Sequence, residues 1–413
     1  MPGTKPDMTE RNQVMLRRDT FALTALLAGL SAIGPLTTDM YLPSLPDITR
    51  LLGATTAQGQ LTISSYLIGF AVGQILYGPL SDRHGRKPVL LAAIAVYCFA
   101  SLVCSAAASI HMLIAARALQ ALGGCGGAVL ARAVVRDLYS GTRAGRELSV
   151  ISSVMALAPV LAPIAGGAIH AAFGWRPVFL TLAAAAIIGI IVVWTLLPET
   201  LPRRSGEPAS IASMLGSYRI VARDPCYLAY LGLATACYAG LFAWISAASF
   251  VLQGLYGLAP FSFGAIFALG SVGYMAGAML AARIVAHLGL DRTIGFGGGA
   301  LAAGGLGMVA ALTLHLTSPF SLVLPMALYL AGMGMVLPQS MAGAMTPFPE
   351  RAGAASALLG FVQQSTASAT GATVGYFLGQ NAWPLAVAVA TTGSATLLLW
   401  FVTRDLLARA AAH

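Results

Sequence analysis

Charge is scarce in this chain: Asp, Glu, Lys and Arg make up 9% of its 413 residues, against about 25% in an ordinary soluble domain. With 23 basic and 14 acidic residues it cannot clothe the two or three water-soluble domains its length would otherwise form. Cysteine is sparse as well. The five present are an odd number; Cys98, Cys104, Cys125 and Cys237 lie inside apolar stretches and Cys226 just before one. That pattern argues against a disulfide framework and for small apolar packing residues. A phosphate-cradling Gly-x-x-x-x-Gly-Lys loop is missing, so ATP is not the expected energy source. The six histidines show no ligand spacing and fall at the ends of apolar runs or in polar segments; neither a metal nor any other cofactor is expected.

What the chain has in abundance is apolar sequence, with 58% hydrophobic residues and a mean hydropathy of +0.80. The net charge of +9 does not point to nucleic acid, because the basic residues sit in short gaps between apolar runs instead of gathering on one face. Gly295 to Ala300 satisfies Gly-x-Gly-x-x-Ala, but it opens an apolar run and follows no strand, so close helix packing explains it. The first apolar run, from Phe21, is too long for a signal-peptide core and has no small-residue cleavage site after it. It is expected to remain as a membrane span.

A helix needs about 20 predominantly apolar residues to cross the hydrocarbon layer. Twelve segments qualify: 20–42, 60–80, 88–108, 111–131, 148–170, 177–197, 226–252, 260–282, 293–314, 319–341, 353–376 and 383–403. An even number places both termini on one side. Twenty of the 23 basic residues fall in the gaps on that side, only Arg50 and Arg176 on the other, and Arg117 inside the fourth span. Positive loops stay in the cytoplasm, so both termini are expected there, with the chain a multi-pass protein of the cell inner membrane. The longest polar gap divides the chain into a cytoplasmic segment 1–19, a six-helix bundle 20–197, a linker 198–225, a second bundle 226–403 and a tail 404–413. Each half has a short charged gap between its second and third spans, Asp82 to Lys87 and Arg283 to Arg292, the kind of correspondence a duplicated transporter half leaves behind.

The turn Gly78-Pro79-Leu80-Ser81-Asp82-Arg83-His84-Gly85-Arg86-Lys87-Pro88 joins spans two and three. It can be read as a solvated positive-inside turn, or as an ion cluster in which Asp82 accepts charge-assisted bonds from arginines and acts as a latch. This turn resembles the signature of the major facilitator superfamily. Ala162-Pro163-Ile164-Ala165-Gly166-Gly167 in span five looks like its antiporter signature. Thr38-Asp39-Met40-Tyr41-Leu42-Pro43-Ser44-Leu45-Pro46 closes span one, and Arg132-Ala133-Val134-Val135-Arg136-Asp137-Leu138-Tyr139 follows span four. Together they resemble the bicyclomycin-resistance (Bcr/CflA) type of multidrug and phenicol exporters, over essentially the whole chain. One position departs: the helix-four signature Arg-x-x-Gln-Gly here reads Arg117-Ala118-Leu119-Gln120-Ala121, which adds a methyl group at a packing position. Gly123 and Gly127 remain as a close-approach face for a neighbouring helix.

Only Asp39 among the acids and Arg117 among the bases lie well inside a span, and a charge there costs from about 2.5 kcal/mol upward. Counted along their helices, Asp39 lies about 27 Å beyond Phe21 and Arg117 about 7.5 Å below Met112, which puts both in the outer part of the bilayer. Asp39 can be read as a helix-end carboxylate reaching water and Arg117 as a tie to backbone carbonyls. The functional alternative is a proton switch in which Asp39 takes a proton from one side and releases it to the other, with Arg117 as its electrostatic partner. The resemblance implies the same roles, the acid as proton carrier and substrate contact and the arginine as reporter of its protonation state. Ser31 and Gly34 stand where a second acid on the first helix would be.

Tyr41, Tyr66, Gln120, Tyr238, Phe242, Trp244, Gln339 and Gln363 or Gln364 could line a mostly apolar cavity, or could simply pack. Pro159 and Pro163 should bend span five. Gating is expected at Gly78, Asp82, Arg83, Gly85, Arg86 and Lys87, with Arg136 and Asp137 beside them. The expectation is an all-α membrane protein of twelve helices in two six-helix bundles, not an enzyme, and a monomer in the lipid bilayer. It would exchange protons for small, partly apolar drugs such as phenicols, sulfonamides or bicyclomycin. A proton-coupled exporter or importer of a sugar or other metabolite is the alternative on the same architecture.

Overall fold

A computed structural model describes residues 21–139, 141–201, 211–348, 351–379 and 381–411. The expected segment 1–19, with Lys5, Arg11, Arg17 and Arg18, lies outside them, as do Arg203 and Arg204 of the linker. The described residues are almost all helical and contain no strand. The first half holds α1 (Phe21–Asp39), α2 (Leu45–Leu51), α3 (Thr56–His84), α4 (Arg86–Ser105), α5 (Ile110–Leu138), α6 (Gly141–Phe173) and α7 (Arg176–Leu196). A short α8 (Ile211–Val221) leads to α9 (Pro225–Ser249), α10 (Pro260–Thr313), α11 (Phe320–Met345), α12 (Ala352–Phe377) and α13 (Trp383–Ala411).

Among the described residues ten helical stretches are long and apolar enough to cross a membrane. One of them, α10, passes through Gly289 at φ 77° and ψ 172°, values no α-helix holds, so its 54 residues form two spans. The 26-residue α12 falls outside the ten; its Gln363, Gln364, serines and threonines dilute an otherwise sufficient length. With these two the count reaches twelve, the expected number. Gly289 also has a twin. Gly85, in the equivalent gap of the first half, has φ 99°, and in each half this positive φ turns the chain from the second span into the third.

The first span is longer than the sequence suggests. Helix α1 stops at Asp39, a short 3-10 turn follows at Leu42–Ser44, and α2 continues to Leu51, so the apolar crossing runs from Ala22 to Leu51 and not to residue 42. Pro43 and Pro46 explain the interruption: proline cannot continue a helix but fits its first turn, where each stands. Asp39 therefore lies at a break inside the crossing, deeper than a helix-end carboxylate at the surface.

The two halves meet along two seams, α3 against α12 and α6 against the first span of α10. At the face opposite the termini they are joined: Ser249 Oγ donates to the Leu42 carbonyl at 2.6 Å and Gln253 Nε2 to the Pro43 carbonyl at 3.1 Å. The Pro/Gly stretch of α6 completes this closure. A side chain on Gly166 would strike the Met40 carbonyl, one on Gly167 the Pro260 carbonyl at 2.6 Å. From the other half, a side chain on Gly264 would meet the Pro163 carbonyl. Pro163 has no N–H to give the Pro159 carbonyl four residues back, and Ser271 Oγ of α10 donates to that carbonyl across the seam at 3.2 Å. The prolines of α6 thus free a backbone acceptor that the opposite half uses.

Candidate functional site

Arg117 has no exposed surface and no carboxylate partner among the described residues. Its guanidinium lies 4.3 Å from the Tyr66 ring centroid and 4.7 Å from that of Tyr41, where the electron-rich ring faces substitute for an anion. Nη1 donates to Gln120 Oε1 at 2.7 Å and reaches the Thr37 carbonyl at 3.4 Å, while Nε and Nη2 make no hydrogen bond. Gln120 is fixed in turn by donating to Ser101 Oγ at 2.8 Å. Tyr41 shares a hydrogen bond with Thr62 at 2.7 Å. Tyr97 and Thr37, which the sequence reading passed over, close the floor with a 2.6 Å bond. Ala121 fits where the signature glycine would stand because it packs against Gly69, which has no side chain to displace. Gly123 and Gly127 do admit close neighbours, but two different ones: Tyr97 and Ala93 of α4, and Leu30 of α1.

Asp39 is the only acid among the described residues that is buried. It makes no ion pair with Arg117, contrary to the expected partnership, because the guanidinium is held by the aromatic rings and Gln120. Asp39 instead lies within electrostatic reach of the hydroxyls of Tyr66 on α3 and Tyr238 on α9, one from each half. Tyr238 is adjacent to Gln364 and packs on Phe242 with ring centroids 4.9 Å apart. The structure thus brings together Asp39, Tyr66, Tyr238, Phe242 and Gln364 where the halves meet.

Other expected lining residues are placed differently. Tyr41 and Gln120 belong to the arginine box and have no free surface in this state. Trp244 is also wholly buried, stacked on Phe267 at 6.2 Å, because α9 turns it toward α10. Gln363 gives its amide to the Ala234 carbonyl at 3.2 Å and is spent on packing. Gln339 is half-buried on α11.

The turn between α3 and α4 is an ion cluster. Arg86 donates Nε to Asp137 Oδ2 at 2.8 Å, Nη1 to Ser81 at 2.6 Å, and Nη1 also to Asp82. Its backbone N–H and that of Lys87 donate to Glu199 at 2.9 and 3.2 Å, placing a carboxylate at the N-terminus of α4, where a helix favours negative charge. These contacts tie α3, α4 and α5 to one another and to Glu199 of the linker just past α7. Arg83 and Arg136 point outward, exposed, and a side chain on Gly78 would meet nothing. Gly85, by contrast, is required by its φ and by Glu199, 2.6 Å from where its side chain would start.

Two helical bundles closed at one face around a buried charge are the build of a membrane transporter rather than an enzyme. The sequence matches the Major Facilitator Superfamily over residues 27–372, and the chain belongs to that family. It is 32% identical over 352 residues to the MFS-type transporter YdgK of Bacillus subtilis (strain 168), covering 84% of this chain and 86% of that one. It is 30% identical over 371 residues to the bicyclomycin resistance protein homolog of Haemophilus influenzae, with 89% and 92% covered. Against the chloramphenicol resistance protein of Pseudomonas aeruginosa the identity is 30% over 391 residues, with 93% and 91% covered. Its fold is similar to that of the D-xylose–proton symporter, TM-score 0.73 at 17% identity, over 92% of this chain and 98% of the other.

Proposed function

We propose that this transporter is a proton-coupled antiporter of the inner membrane that exports small, partly apolar antibiotics of the bicyclomycin or phenicol kind. The observation that carries the reading is Asp39, a carboxyl group buried at a helix break, three residues before the Leu42 carbonyl that ties the first half to the second. Such a group can hold a proton while the site faces one side of the membrane and surrender it when a substrate enters from the other. The names of relatives that cover nearly the whole chain support export of drugs. Arg117 is a positioning residue that keeps a fixed positive charge beside the site without neutralising Asp39. The distribution of arginine and lysine supports cytoplasmic termini, and the seams between helices support halves spanning about 20–197 and 226–403.

The test is proton release from acid-loaded inverted vesicles, followed with a pH dye as bicyclomycin or chloramphenicol is added, for wild type and Asp39→Asn. Drug-triggered release that vanishes in the variant is the expected result. Equal release by the variant would remove Asp39 from the mechanism.

A further inference from the structure

The seam between α3, α9 and α12 contains polar atoms that its helices do not satisfy. Gln60 has no exposed surface, and neither its Oε1 nor its Nε2 makes a hydrogen bond; Ser246 Oγ is equally buried and unpaired, and so is Gln364 Oε1. An orphaned buried polar atom costs about 1–3 kcal/mol, and buried polar atoms without a protein partner are ordinarily met by ordered water. Between them Ser64 and Ser368 tie the halves reciprocally, each hydroxyl donating to the other's carbonyl at 3.1 and 3.0 Å and keeping lone pairs to accept from water.

These groups form a line. On α12, Gln364, Ser368, Gly371 and Gly375 climb toward the closed face over about 16 Å. Ser246 Oγ and Ser64 Oγ converge on bare Gly371, 2.5 and 3.6 Å from where its side chain would begin. At the top, the Gln60 amide occupies the space that a side chain on Gly375 would need. At the bottom, Gln364 adjoins Tyr238, which is in electrostatic reach of Asp39.

We propose that this junction is a water-holding proton path from the face opposite the termini toward Asp39, and that Gln60 seated on Gly375 is its stopper. The direction of use rests on the reading of Asp39 as proton carrier. When that face opens, a proton from outside water passes along the held waters to the Asp39 carboxylate, forming one O–H bond and returning the donor hydronium to water. While the face is closed, the seated amide prevents a proton leak across the membrane.

The experiment uses the whole protein in liposomes enclosing a pH dye, with an imposed pH step and no drug, so its result does not depend on antiport. Wild type should hold the gradient. Gln60→Ala should admit protons about fivefold faster or more, and adding Ser246→Val, which fills the junction with an apolar side chain, should restore tightness. A Gln60→Ala protein as tight as wild type, or a double variant as leaky as the single, overturns the path. A wild-type structure at a resolution that shows water gives a measurement free of folding effects: waters bonded to Gln60, Ser246 and Gln364 are expected, and a dry junction overturns the proposal. Loss of the Asp39 reading would show separately, as drug-driven proton release retained in Asp39→Asn, with the leak results still standing.

Discussion

Arg117 shows at the scale of one residue how function and stability part. A buried guanidinium without a counter-ion costs several kcal/mol in desolvation, and the two tyrosine faces return about 2 kcal/mol or more. Arg117→Met keeps the stem, leaves Gln120 Oε1 only the weak Cys104 thiol donor at 3.9 Å, a loss of about 1–3 kcal/mol, and removes the larger desolvation cost. The expected outcome is an unfolding temperature in detergent no lower than wild type, with transport lost. A drop of many degrees would mean that the arginine is there to hold the fold. The sequence picks out Arg117 because a charge inside an apolar run is conspicuous, and Asp39 for the same reason. What surrounds them is not conspicuous. Tyr97, Thr37 and Ser101 are ordinary helix residues whose service to Arg117 arises only when α1, α4 and α5 pack together.

At the scale of the element, α6 is the instructive case. Its Pro/Gly stretch was legible as a motif. Its mate was not: Ser271 and Gly264 stand about a hundred residues away, and nothing local in Ser or Gly announces a seam. Gly264→Val would place branched carbon against the Pro163 carbonyl, 2.3 Å from the first side-chain atom, so the closed face should no longer close. With the native cysteines replaced and Ser249→Cys as reporter, a membrane-impermeant maleimide added from outside is expected to label the Gly264→Val protein several-fold faster. Equal labelling would show that the seam tolerates the side chain. Helix α2 was missed for a related reason: Pro43 and Pro46 read as the end of a span, when proline at a helix start serves as well as proline past its end.

For the whole molecule, the number of spans, the halves and the charged turns were readable from period, length and the placement of arginine. The relation between halves was not, because Ser64 and Ser368 are 304 positions apart and neither stands out in its own helix. Their reciprocal bonds bring two backbones close enough for a bridge. In a protein otherwise free of cysteine, Ser64→Cys with Ser368→Cys should cross-link under mild oxidation, arrest transport, and recover on reduction. Full activity in the cross-linked protein would mean that this seam stays shut through the cycle.

Asp39 is the one buried acid among the described residues, and as the proposed proton carrier it would offer one site for one proton per cycle. Exchanging it for an uncharged molecule moves one net charge across the bilayer, worth about 2.3 kcal/mol per 100 mV of membrane voltage. Exchanging it for a monovalent cation moves none, leaving the pH difference alone to drive export. The same protein would therefore be electrogenic for a phenicol and electrically silent for a cationic dye, and a cell that loses its voltage but keeps its acid exterior would stay protected against one and become exposed to the other.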